Sequence, residues 1–156
     1  MSEQDTIRLH LEQDTAYGFR IRFDDAAIPE LLSDEPPPLG EGRGPNPSAL
    51  LLAGVANCLG ASLLFALRKF KNAPGPITVE IKADKVRNDA GRWRIPKARV
   101  RILLADSAAS FEHFDRILGQ FEQFCIVTQS VRDGIEVEVE VVDADGASFV
   151  PGGTAA

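Results

Sequence analysis

Between Pro45 and Leu67 the chain carries no charged residue, and this run, PNPSALLLAGVANCLGASLLFAL, limits the folds open to it more than any other stretch. Asn46 followed by Pro47 suits an N-cap and a first helical position, so the spacing predicts a helix from Pro47 to about Lys71, ended by NAPGP. A run this long could cross a membrane. Its interior holds Gly54, Asn57, Cys58, Gly60 and Ser62, however, Arg68, Lys69 and Lys71 follow at once, and the flanking segments alternate like soluble sheet. We read it as a buried core helix. A helix apolar nearly all round must be enclosed on most sides, and for a chain of 156 residues a second copy is the simplest cover.

The remaining sequence reads as strands around helices. Ile7, Leu9 and Leu11 alternate with polar neighbours, as do Phe19, Ile21 and Phe23, with DTAYG between them as the turn of a hairpin. Residues 25–47 are rich in acids, Pro and Gly and predict a long loop. A second hairpin runs through Ile77, Val79, Ile81 and Ala83, turns at RNDAGR, and returns through Trp93, Ile95, Ala98, Val100, Ile102 and Leu104. Its second strand changes phase beside Pro96, as a bulge or edge position requires. From Ser110 to Gln123, Phe111, Phe114, Ile117, Leu118 and Phe121 share one helical face. A short helical turn fits CIVTQSVR, with Gly134 as its stop, and Ile135, Val137, Val139 and Val141 alternate as a last strand. Residues 143–156 predict a frayed tail. The fold class is therefore α+β in the order ββ-α-ββ-α-β, with antiparallel sheets packed around a long buried central helix and a second helix. With 44% hydrophobic residues, one domain spanning 1–156 is the natural organisation.

A formal net charge of -6 and the lack of any Lys/Arg block argue against a nucleic-acid surface. The polar, acidic start MSEQDTIRLH has no secretory pattern, so a cytoplasmic, reducing setting is expected. There, two cysteines are more often transient or catalytic partners than a permanent disulfide. Cys58, Cys125, His10 and His113 show no close ligand spacing, so no metal site is expected. GEGRG and PGG lack a phosphate-loop context and read as turns, so no cofactor is expected either.

The chemistry rests on the two cysteines. By residue type alone they are two buried thiols, because free Cys behaves as a small core residue; brought together by the fold, they would form a redox pair. Cys58 falls about three turns into its helix, too far for the amino-end dipole to acidify it much. Gly54, Asn57, Cys58, Ala61 and Ser62 form one small, mildly polar stripe on an aliphatic rod, open either to a closely packed backbone or to a small substrate. Cys125, at the start of its turn, gains some dipole help but lies between Phe124 and Ile126, which suggests burial. Arg20 and Arg22 share one face of the first hairpin and are the candidate cations to favour a thiolate.

GPNPSALLLAGVANC followed by FCIVTQSV resembles the OsmC and organic hydroperoxide resistance family, over nearly the whole chain. The resemblance implies an intertwined homodimer with paired central helices and a thiol-dependent peroxidase acting on organic or hydrogen peroxides. It implies that Cys58 attacks, that Cys125 resolves, that Arg20 or Arg22 assists, and that a dithiol reductant resets the pair. The sequence departs from the pattern at Ser48, where peroxidase members carry the Glu that holds the arginine. Glu30 and Glu41 in the long loop are candidate replacements. Without that carboxylate, a noncatalytic dimer serving as a thiol redox sensor or small-ligand binder is the alternative.

Overall fold

A charge-free segment with a strong amino-terminal cap does become one long helix. In the computed structural model, which describes residues 5–151, α1 spans Pro47–Lys69. Asn46 Oδ1 accepts the Ala49 amide at 2.9 Å and Pro47 occupies the first turn. Arg68 and Lys69 complement the dipole at the other end. The helix stops slightly before the predicted Lys71, because Lys71 adopts a left-handed φ of 62° while the amides of Lys71 and Asn72 bond back to Arg68 and Leu67. Val55, Leu59, Leu63, Ala66 and Leu67 face the core. The opposite face is open: Leu51 and Phe65 are 47% and 64% exposed, so one copy of the chain does not enclose the helix as its composition led us to expect.

Two strands cover the buried face. β4 (Ile77–Ala83) pairs antiparallel with β7 (Ala98–Leu104), from Ile77 opposite Leu104 to Ala83 opposite Ala98. Their alternation puts Ile81, Val100, Ile102 and Leu104 on α1 and their polar neighbours in solvent. Gly60 permits the close approach, since a Cβ there would lie 3.0 Å from Val79 Cγ2. The hairpin continues as a short ladder of β5 (Val86–Arg87) with β6 (Trp93–Arg94), and the strand is interrupted between Arg94 and Ala98, around Pro96, as the phase change predicted.

The single helix predicted over 110–123 is instead broken into a 310 turn at Ala108–Ser110, α2 (Phe114–Leu118) and a second 310 turn at Phe121–Phe124. Asn72 explains part of this: its side chain accepts the Glu112 amide at 2.8 Å and donates to the Glu112 carbonyl at 3.1 Å, fixing a turn through His113, whose φ is 58°. The predicted apolar face still reaches the core through Ile117 and Phe121. α3 (Ile126–Asp133) follows and ends at Gly134, φ 77°.

At the amino end, β1 (Leu9–Gln13) pairs with β2 (Phe19–Phe23) as predicted, and a third strand, β3 (Leu31–Ser33), forms inside the expected loop. Asp34 then organises the loop. Its buried carboxylate accepts the amides of Glu41 and Arg43 at 3.1 and 3.2 Å. The other sequence expectation to correct is at the carboxyl end. Residues 135–140 join no ladder among the described residues, although their valines alternate as a strand requires; β8 (Val141–Val142) instead pairs with β9 (Ser148–Phe149). The tail expected to fray from Asp143 is thus partly a hairpin, its turn held by Asp143 Oδ1 and the amides of Asp145 and Ala147. The end of that tail, residues 152–156, lies outside the described residues.

Candidate active site

Two elements distant in sequence bring the cysteines together. α1 packs against α3 and against the 310 turn that precedes it, so the middle of the long helix faces the amino end of the short one. Gly54 of α1 leaves room there, its missing Cβ being 3.9 Å from Val127 Cγ1. Cys58, half-buried, lies one helical turn beyond Gly54 and one turn before Ser62. Cys125 is the N-cap residue of α3 and is fully buried. Both are free thiols, close enough that each sets the protonation of the other.

The sulfurs are not equivalent. Burial pushes the Cys58 thiol up, the Cys125 sulfur adds to that, and the amides of Val127 and Thr128 at the start of α3 pull only part of it back. Burial acts on Cys125 in the same sense, but it is outweighed by hydrogen bonds from Cys58, from the Thr128 hydroxyl and amide, and from Ser62. Cys125 therefore sits below the ordinary thiol range. The Thr128 contact is a specific one, with Oγ1 3.1 Å from Sγ and both residues buried.

Arg20 and Arg22 are together, but not with the sulfurs. Both project from β2 onto carboxylates of the N-terminal sheet. Arg20 Nε meets Asp14 Oδ1 at 2.7 Å, and one of its terminal nitrogens meets Glu30 Oε1 at 3.1 Å; Arg22 meets Glu30 Oε2 and Glu12 Oε2 at 3.0 Å each. Arg43 joins from the loop, 2.9 Å from Asp14 Oδ2. Among the described residues neither Arg20 nor Arg22 makes a polar contact with Cys58 or Cys125. Of the two candidate replacements for the carboxylate missing at Ser48, Glu30 bridges both arginines, whereas Glu41 stands 3.9 Å from Arg43.

An open groove of about 740 Å³ reaches this region, lined by Leu52, Val55, Leu59, Val100, Phe121 and Thr128 among others, with the Arg132–Glu122 ion pair (2.6 Å) at its edge. Lys97 and Thr128 add polar groups to its wall, and Thr128 is its link to the sulfurs, since neither cysteine lines it. The described residues hold no cluster of three or more metal-ligating side chains; His113 packs on Phe70, ring centroids 5.6 Å apart. Sequence reasoning missed Thr128 and Asp14. Thr128 was findable from its spacing, three residues after a cysteine at a helix start, whereas Asp14 lies in a turn whose return strand decides what it meets.

Comparison with known proteins bears on the family and the fold. Residues 40–140, which include both cysteines, match the model of the OsmC-like protein family. The chain is 26% identical over 128 residues to the organic hydroperoxide resistance protein-like 1 of Staphylococcus saprophyticus, covering 80% of this chain and 87% of that protein. Its fold is similar to the crystal structure of the organic hydroperoxide resistance protein OhrB of Bacillus subtilis (TM-score 0.61, 19% identity, 85% of this chain and 94% of that one). It is also similar to an OsmC-like protein of unknown function from Vibrio cholerae (TM-score 0.66, 13% identity, 81% and 94%). The family match over residues 40–140, well over half of the chain, places the protein in the OsmC-like family, among relatives associated with organic hydroperoxide resistance.

Proposed function

We propose that the protein is a cytoplasmic, homodimeric thiol peroxidase that reduces organic hydroperoxides or hydrogen peroxide and is regenerated by a dithiol. The observation that carries this reading is the meeting of two free thiols, from α1 and from the cap of α3, with a groove close by that shares Thr128 with the Cys125 environment. Cys58 thiolate attacks the distal peroxide oxygen: an S–O bond forms, the O–O bond breaks, and the departing alkoxide takes a proton to leave as alcohol. Cys125 then attacks the sulfenic sulfur, water leaves, and a disulfide remains.

Within one chain the activation of Cys58 is incomplete, because burial holds its proton and the arginines are engaged elsewhere. A second copy supplies what is missing in this reading. The N-terminal sheet exposes Leu9, Leu11 and Phe19, and α1 exposes Leu51 and Phe65. Joining these faces between copies would cover both and carry an Arg20–Glu30–Arg22 group toward the other copy's α1. The core-helix reading of α1, rather than a membrane span, is supported by its packing against β4 and α3.

The alternative is a dimeric thiol redox sensor or small-ligand binder, favoured by the raised Cys58 thiol and by Ser48. One experiment separates the two. Reduced protein is mixed with stoichiometric organic hydroperoxide, and free thiols and mass are followed with and without a dithiol. The peroxidase loses two thiols rapidly, turns over once the dithiol is present, and loses all peroxide consumption as Cys58→Ser. Oxidation without turnover identifies the sensor, and thiols that survive unchanged exclude both redox readings.

A further inference from the structure

The two sulfurs differ in access and in support, and this difference assigns a direction to the step that resets the enzyme. Cys58 is partly exposed in the single chain, on a face of α1 that the peroxide of the reading above must still reach between two copies, whereas Cys125 is 0% exposed within its own chain and its sulfur lies 3.1 Å from Thr128 Oγ1. We propose that the reducing dithiol attacks the Cys58 sulfur of the disulfide and expels Cys125, with Thr128 as the positioning residue that receives the departing thiolate. This deepens the redox reading above and rests on the disulfide that it invokes.

The chemistry balances as a two-electron exchange. A thiolate of the dithiol forms a bond to Cys58 Sγ as the Cys58–Cys125 bond breaks, and the electron pair leaves on Cys125. The second thiol of the reductant then attacks its own sulfur in the mixed disulfide. Cys58 is released as a thiolate that takes a proton, and the reductant departs as a cyclic disulfide. In such exchange the sulfur attacked is set by access, and the better leaving group is the more acidic thiol. Both criteria select the same bond polarity here. As a neutral thiol Cys125 donates to Thr128 Oγ1; as a thiolate it accepts the hydroxyl proton, and a hydrogen bond to a charged group is the stronger kind. Ser62 and the Thr128 amide add to the same stabilisation. Thr128 is itself 6% exposed, so water offers poor compensation for a lost hydroxyl.

The test begins from protein oxidised to the disulfide with diamide, so that no peroxide step is involved. A limiting monothiol, glutathione, is added, the reaction is quenched with acid, and the adduct is mapped by peptide mass spectrometry. The adduct is expected on Cys58 in preference to Cys125 by about tenfold or more. Thr128→Val should slow reduction by a dithiol by about tenfold, and should raise the pH at which Cys125 ionises, followed by thiolate absorbance in a Cys58→Ser background. Thr128→Ser should restore both. An adduct chiefly on Cys125, a Thr128→Val disulfide reduced as fast as the wild type, or a pair that diamide cannot join would each overturn the proposal. If Thr128→Val does not fold, the wild-type adduct map and Thr128→Ser still decide. A wild-type protein inert to hydroperoxide would defeat the peroxidase reading alone, because the adduct map needs no peroxide.

Discussion

The region around α1 and the N-terminal sheet are built from the same kind of pattern and end in opposite states. Alternating β4 and β7 find the buried stripe of α1 within their own chain, and Leu67 and Ile117 are fully enclosed as a result. β1 and β2 alternate just as regularly, yet Leu9 and Leu11 remain 52% and 50% exposed. Their sheet is held by its own ladder, by the ion pairs around Arg20 and Arg22 and by the one buried side chain of the pair, Ile21, without the extensive packing on α1 that β4 has. The difference teaches that periodicity specifies which face wants cover but not which molecule supplies it. One region answers that need internally. The other leaves it open, and so does the outer face of α1.

The largest effect that could break this comparison is on the core. Leu67→Ala should destabilise the protomer by about 3 kcal/mol, through lost burial and the cavity left behind, measured by denaturant unfolding. Leu11→Ala, at a half-exposed position, should cost the protomer less than about 0.5 kcal/mol. It should nevertheless weaken self-association in sedimentation. If the two substitutions cost the same at concentrations where the protein is monomeric, the N-terminal sheet is packed on its own chain and the contrast is wrong.

A smaller effect sharpens the same contrast along α1 itself. Gly60 presses on β4, where a Cβ would already be 3.0 Å from Val79, so Gly60→Val should destabilise by about 2 kcal/mol. At Gly54 a Cβ would meet Val127 at an ordinary 3.9 Å, and Gly54→Ala should gain about 0.5 kcal/mol from helix propensity. Opposite signs in thermal or urea unfolding would show that α1 is packed to contact on its β4 side and more loosely on its α3 side. Equal losses at both positions would mean that the cysteine side of α1 is as tightly packed as the β4 side.

Much of this was legible in the sequence because it is local. Asn46 and Pro47 fix the start of α1 through groups within three residues, and the alternation of Ile77 to Ala83 against Ala98 to Leu104 needs only a neighbouring apolar face. The site was half legible. The cysteines could be nominated by residue type and setting, but Thr128 matters only because Cys125 caps its helix, and Glu30 only because β3 brings the loop back alongside β2. The errors share one cause, partners supplied from a distance. Asn72 breaks the second helix from 40 residues away, and the strand predicted over 135–141 has the right alternation but no paired edge at residues 135–140. A pattern announces what a segment can pair with, while the pairing itself depends on the tertiary arrangement.

The smallest expected effect concerns what holds the N-terminal sheet in place of packing. Hydrogen bonds and charge from Arg20 and then Arg43 hold the Asp14 carboxyl below its usual range; Arg22 chiefly, with Arg20, does the same for Glu30, in both cases against an opposing effect of burial. A carboxyl depressed on folding contributes stability that is fully present above its unfolded value and is lost as pH falls through the lower folded one. Amide exchange protection in β1 and β2 should therefore hold through neutral pH and fall only under conditions more acidic than ordinary carboxylate titration. High salt should weaken it at any pH, because Arg20, Arg22 and Glu30 are exposed and screened. Protection in β4 and β7 rests on apolar burial and should respond little to either change. If both ladders lose protection together, in acid or in salt, the two regions unfold as one unit, and the ion pairs would then be incidental to the N-terminal sheet.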